Sequence, residues 1–239
     1  MQTIQLDKLK LQSRDRVLDL GCGEGRHALA TYWLFPAEQV VAVDINHRDV
    51  QTANQRMNDF PKRFDNNSCH IFVADGFALP FKENSFDVVI CSEVLEHIHD
   101  YENIITEIQR VLKPGGKLAL SVPRAWPEKI CWWLSESYHQ VEGGHIRIFH
   151  GTQLKRFVSN QAFEFQHKHF AHALHAPYWW LRCLFWNKGE RFFPVRCYHK
   201  ILVWDLMKSP WITRTLERFL NPLMGKSLVM YFKNNKDFL

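Results

Sequence analysis

The stretch VLDLGCGEGRH carries glycines at positions 21, 23 and 25, directly behind a short apolar run. Glycine reaches positive φ readily and lacks the Cβ that would hold a ligand off the main chain. Turns of this kind lie at the carboxyl ends of strands, where open α/β sheets bind their ligands. The spacing here is GxGxG. A dinucleotide fingerprint would need a third glycine or alanine at position 26, which is Arg26, and no Walker GxxxxGK[ST] run follows. The pattern therefore disfavours a phosphate cradle and points to a nucleotide-like ligand resting on bare backbone. Asp44 ends VVAVDI, about twenty residues on, where a carboxylate accepts hydrogen bonds from free ribose hydroxyls. Asp75 in FVADG can accept from an adenine amine.

Those three positions need parallel strands to bring them together, and the chain supplies the pattern. Apolar runs alternate with helix-like stretches from residue 16 to about 122, as βαβ units do. RVLDL, QVVAVDI, CHIFVAD, FDVVICSE and KLALSVP read as strands; RHALATYWLF, HRDVQTANQRMNDF and YENIITEIQRVLK read as helices. The last of these puts Ile104, Ile105, Ile108, Val111 and Leu112 on one face, and PGG is expected to stop it. Beyond Pro123 the regularity breaks into an insertion with a Gly-Gly turn. A helix at GTQLKRFVSN and a strand at FEFQHKHF follow, then a second insertion over 171–225 and a closing strand, SLVMYFKN. No repeat or low-complexity tract is visible.

VLDLGCGEG, VVAVDIN, VADGFALPFKENSFDVVICSEVLEHIHD and EIQRVLKPGGKLALSVP, in this order over residues 16–123, resemble a class I S-adenosylmethionine-dependent methyltransferase of the type 11, ubiquinone-pathway kind. The resemblance implies a Rossmann-like, doubly wound α/β sheet of about seven strands whose last strand is antiparallel. The aromatic-rich helical insertion would precede that strand. Residues 1–170 with 226–239 would form the cofactor-binding domain, and 171–225 an inserted lid or membrane-facing segment. It also implies S-adenosyl-L-methionine as cofactor. Gly21, Gly23 and Gly25 would lie under its methionine part, Asp44 with Ile45 at the ribose, Asp75 with Gly76 at the adenine. Asp19 and the stretch from Ser92 through Glu93 to Leu95 would flank the sulfonium.

Methyl transfer to a hydroxyl calls for a base, and a histidine of ordinary pKa near 6.5 suits. His97 in SEVLEHIHD borders the transferred methyl by the resemblance, and its LEHI is similar to the corresponding loop of ubiquinone-pathway O-methyltransferases. His145 in GGHIRIF lies where family members place substrate-facing groups. Glu93, Glu96, His97 and His99 lack HExxH spacing, so no metal is expected.

At 239 residues and 46% hydrophobic content the chain suits one large globular unit. The N-terminus lacks the apolar core of a secretory signal, and no apolar run approaches the roughly 18 residues of a membrane span, so a cytoplasmic or peripheral protein is expected. Six cysteines without CxxC spacing read as reduced thiols. Residues 171–220 hold eight Lys/Arg against three acids, and eight of nine tryptophans fall between 126 and 211. Trp and Tyr beside cations fit either a packed lid or the surface of an anionic membrane, and both versions favour a small, apolar or lipid-like acceptor. O-methylation is favoured, though N and C acceptors use the same platform. An RNA or protein methyltransferase that holds a polymer on the basic segment is the alternative. CSEVLEH replaces the Asn-Pro-Pro-Tyr motif of DNA amino-methylases, so nucleic acid is disfavoured. A catalytically silent interaction module is the third reading.

Overall fold

Residues 2–236, apart from 62, 66, 142 and 190, are described by a computed structural model. The apolar runs become strands: β1 (Arg16–Leu20), β2 (Gln39–Asp44), β3 (Ser68–Val73), β4 (Phe86–Ser92), β5 (Leu112–Pro123), β6 (Phe163–Ala171) and β7 (Ser227–Asn234). They form one sheet in the order β3-β2-β1-β4-β5-β7-β6. The first five pair in parallel, and β7 runs antiparallel to both β5 and β6. The last strand is thus antiparallel as expected, and it lies inside the sheet with β6 as the edge.

Strand alternation divides the core between two faces. Leu18, Leu20, Val41, Val43, Val89 and Leu120 pack with Ile104, Ile105 and Ile108 of α3 (Tyr101–Val111) and with Leu154 and Val158 of α6 (Gly151–Asn160). Val17, Val40, Ala42, Val88 and Ile90 face the other way, onto Ala28, Leu29 and Tyr32 of α1 (Arg26–Leu34) and Val50 and Ala53 of α2 (His47–Met57). Burial on both faces explains why these strands read as continuous apolar runs.

PGG does not stop α3. The helix ends at Val111 and Leu112 is already extended, while Pro114, Gly115 and Gly116 form a bulge inside β5. The register jumps there from Phe86 opposite Leu112 to Val88 opposite Lys117, and Gly115 takes φ +73°. Proline lacks a ladder donor, and Gly115 sits where a Cβ is disfavoured, so the tripeptide breaks strand pairing instead of helix.

The first insertion contains α4 (Ala125–Leu134) and the single turn α5 (Ser137–Gln140). Between β6 and β7 lie α7 (His175–Leu184), α8 (Phe193–Lys208) and α9 (Trp211–Met224). Helix α7 begins at His175, two residues before Pro177. The expected domain limit at 239 runs past the described residues. α7 packs on α4 through Cys131, Cys183, Trp132, Trp179 and Trp180, and the Trp180 indole donates to the Pro127 carbonyl at 3.1 Å.

Candidate active site

At the carboxyl ends of β1 and β2 the backbone is tied by short hydrogen bonds. The amides of Gly21 and Cys22 donate to the Val43 carbonyl at 2.8 and 3.0 Å, and the Gly23 amide donates to Asp44 Oδ2 at 2.8 Å. Gly21 has φ +69°, and a Cβ there would run into Cγ2 of Val94. Gly23, at φ +51°, has open space where its Cβ would be. One glycine thus lets the chain pass under its neighbour, and the other leaves the floor of the site bare.

Above this floor lies a cavity of about 390 Å³. Gly21 and Gly23, Asp44 and Ile45, Asp75 and Gly76, and Glu93 and His97 all line it. Leu20, Phe77, Val94, Ile98 and Ile104 add apolar wall. Asp44 Oδ1 accepts from the Asn46 amide at 2.8 Å, and Asp75 Oδ1 accepts from the Phe77 amide at 2.9 Å, so both carboxylates are braced by backbone and keep free lone pairs. Glu93 holds φ +57°, uncommon for a residue with a side chain, and its Oε1 accepts from Ser121 at 2.9 Å.

Four of the residues expected at the cofactor are not among those lining the cavity. Gly25 starts α1 at φ +85°, packed against Ala53 and Leu29. Ser92 pairs its hydroxyl with Ser121 at 2.9 Å, and Leu95 is buried in the core. Asp19 lies beneath the glycine turn, where Oδ2 accepts from the Ala28 amide at 2.9 Å and Oδ1 is buried without a partner. It anchors the start of α1 from below. Burial raises its carboxyl to about 7.

The two histidines meet at the Glu93 end of the cavity, with ring centroids 5.1 Å apart. His97 Nδ1 donates to the Gly144 carbonyl at 3.2 Å, leaving Nε2 as the lone-pair nitrogen. Burial, reinforced by His145, holds the His97 imidazole below its ordinary value, so it is neutral at pH 7. His145, just beyond the lining residues, donates from Nδ1 to Glu128 Oε1 at 2.6 Å. Glu128, a buried residue of α4 unnoticed in the sequence, also accepts from the Trp132 indole at 3.3 Å and the Tyr138 hydroxyl at 3.4 Å, and lies 3.8 Å from Lys226. Burial alone would raise its carboxyl, but the His145 hydrogen bond and the Lys226 charge hold it below the ordinary value. Glu96 is fully buried with both carboxyl oxygens unpartnered, and burial beside Glu93 holds it well above the usual range. Glu96, His97 and His145 each bring one ligand atom within 4.8 Å of the others, so this end of the cavity could also hold a metal ion. Glu93 and His99 are not part of that set.

Residues 18–120 match the family described as "Methyltransferase domain". A SAM-dependent methyltransferase from Methanosarcina mazei superposes with a TM-score of 0.64 at 17% identity, over 98% of this chain and 99% of that one. The fold is therefore that of the class I methyltransferases, and residues 18–120 are similar to the methyltransferase domain family. It is 38% identical over 113 residues to the 27-O-demethylrifamycin SV methyltransferase of Amycolatopsis mediterranei, covering 47% of this chain and 40% of the relative. It is 29% identical over 159 residues to the ubiquinone biosynthesis O-methyltransferase of Idiomarina loihiensis, covering 62% and 61%. The chain spans about half the length of the curated relatives it matches.

Asp19 gives the site a pH signature. Its carboxyl is raised from an ordinary 3.8 to about 7, so between those values the folded state keeps a proton that the unfolded chain has released. Stability falls as pH rises through that window and levels off above it. Asp19→Asn keeps an acceptor for Ala28 and removes the titration. In urea unfolding the variant should gain on the wild type by a few kcal/mol between pH 4 and 7. A difference independent of pH would refute the burial-driven shift.

Proposed function

We propose that this chain transfers the methyl group of S-adenosylmethionine to a small, apolar or lipid-like acceptor, a hydroxyl by preference, at the surface of an anionic membrane. The observation that carries the reading is the convergence in one cavity of the bare glycine floor, two braced strand-end carboxylates and a neutral imidazole. Both curated relatives named above carry O-methylation in their names.

The residues present fit the cofactor. Asp44 would hold the ribose hydroxyls on its remaining lone pairs, Asp75 the adenine amine, and Gly21 with Gly23 would admit the methionine part against the backbone. The apolar side chains of Phe77, Ile98 and Ile104 would keep water from the base. Once bound, the sulfonium supplies a methyl group that is already activated. The protein's own share is alignment of the acceptor, which is worth roughly 7–11 kcal/mol when the reacting atoms are held in line. His97 Nε2 takes the acceptor's hydroxyl proton. His145, held in one tautomer by ionised Glu128, stands beside it as a second base or as the residue that orients the acceptor.

The inserted helices bear on the acceptor's chemistry. Tyr138 packs against both His145 and Trp179, with centroids 6.0 and 5.6 Å away, so an aromatic wall adjoins the histidine end of the cavity. Farther out, α8 and α9 turn large apolar groups to solvent: Met207 and Trp211 are each 74% exposed and Phe219 is 70% exposed. Trp211, Ile212, Leu216, Phe219 and Leu223 share one side of α9, flanked by exposed Lys208, Arg214 and Arg218. Among the described residues no helix is long and apolar enough to cross a membrane. A solvent-facing apolar stripe edged with cations is suited to lying on anionic lipid.

Three measurements test this reading. Calorimetry on Asp44→Ala should show binding of S-adenosylmethionine weakened at least tenfold, corresponding to loss of about 1.4 kcal/mol or more; equal heats in the two proteins would remove the ribose assignment. His97→Ala should retain cofactor binding and lose roughly 10²–10⁴ in turnover, with tritium from labelled cofactor entering the organic-extractable fraction in the wild type. Unchanged turnover would retire His97 as base, and label in RNA or protein would replace the acceptor class. In flotation, the protein should rise with vesicles containing phosphatidylserine at low salt, and Trp211→Glu with Phe219→Glu should stay at the bottom; a wild type that never floats ends the membrane version.

A further inference from the structure

We infer that His172, His175 and Glu217 form a binding site for a divalent metal ion, zinc by preference, that fastens the inserted helices to the sheet. The three lie away from the methyl-transfer cavity, and no metal was expected from the spacing of the sequence. His172 follows the end of β6 at φ +66°, His175 opens α7, and Glu217 sits in the middle of α9. Each brings one ligand atom within 4.8 Å of the others, and the imidazole centroids are 5.4 Å apart.

The donors are arranged as a metal requires. Nδ1 of His172, Nδ1 of His175 and Oε1 of Glu217 are all buried without a hydrogen-bond partner. Three orphaned acceptor-type atoms in one place are costly unless something satisfies them together. His172 Nε2 is 3.0 Å from Thr3 Oγ1, and with that nitrogen donating, Nδ1 carries the lone pair. An outer partner of this kind commonly fixes the ring of a metal-bound histidine. A water would complete four-coordination, and two imidazoles with carboxylate oxygen suit zinc.

Helix α9 supplies an independent reason. Its inward side carries Thr213, Glu217 and Asn221 at helical spacing beside half-buried Leu220 and Met224, while Trp211, Ile212, Leu216, Phe219 and Leu223 point outward. Asn221 Oδ1 accepts from the Ala173 amide at 2.9 Å, one residue beyond His172. A helix with its polar side inward lacks the usual hydrophobic adhesion. Metal ligation supplies that adhesion at its centre.

The test uses the full chain without a histidine tag, stripped by chelator and dialysed against zinc, with metal counted by mass spectrometry. One equivalent should be retained and the unfolding midpoint should rise. Cobalt in its place should give a visible d–d spectrum. Glu217→Gln, close to isosteric, and His175→Gln should lose zinc and spectrum together. Thr3→Val should weaken binding roughly 10–100-fold, the usual cost of an outer partner. His97→Ala with His145→Ala, which dismantles the other candidate set, should bind as the wild type does. Failure of the stripped wild type to take up zinc overturns the site, as does uptake insensitive to Glu217→Gln or abolished by the His97 and His145 pair.

Discussion

The donation from the Gly23 amide to Asp44 Oδ2 is the contact on which the cavity depends. It pins the turn after β1 to the end of β2, and the Val43 carbonyl doubles the tie by accepting from Gly21 and Cys22. Val94, just beyond β4, occupies the volume that a side chain at Gly21 would need. Ends of three strands are thereby locked into one floor. Asp44 serves twice, bracing its own floor and presenting lone pairs to whatever lies above it. Such double use explains why a short acid is suited here: a longer side chain could not reach back to an amide in the neighbouring turn and still face the cavity.

The opposite end is built by different means. There the organising group is Glu128, buried in the first insertion, which gathers His145, Trp132, Tyr138 and Lys226 around one carboxylate. Lys226 immediately precedes β7, and Ser121, which holds Glu93, lies in β5. The histidine end is therefore tied to β7 through Lys226 and to β5 through Ser121, and the glycine end to β1 and β2. Ionised Glu128 and neutral His97 stand a few residues' reach apart, so one cavity end joins a fixed negative charge to an uncharged base.

How much of this was legible follows from the range of each interaction. Strands β1, β2 and β4 are buried on both faces, so their apolar runs marked them without ambiguity. That Gly21, Gly23, Asp44, Asp75 and His97 line one cavity could also be anticipated, because each sits at a strand end or just beyond one. PGG misled because the same residues that end helices also make bulges, and only pairing with Phe86 and Val88 decides between them. Asp19 shares a strand with the motif but points below the turn, a direction that alternation alone could have flagged. Glu128 was silent in the sequence: it looks like any helical acid in AWPEKICWWL, and its role exists only once His145, 17 residues away, is folded onto it.

The inverted helix α9 was silent for a related reason. An amphipathic pattern states that two sides differ but not which one faces the protein, and the default assignment puts the apolar side inward. Here the inward side is chosen by polar chemistry. Arg124, directly after β5, donates to the carbonyls of Pro222 and Leu223 at 3.0 and 3.2 Å and lies 3.8 Å above the Phe170 ring. A guanidinium at the negative end of a helix is favourable, and it fixes that end against both β5 and β6. With its carboxyl end held by Arg124 and its middle turned inward at Glu217, α9 has no rotation left that would bury Phe219 and Leu223. Their exposure is thus a consequence of how the helix is tethered, and the apolar face is held outward by the same fold that forms the cavity.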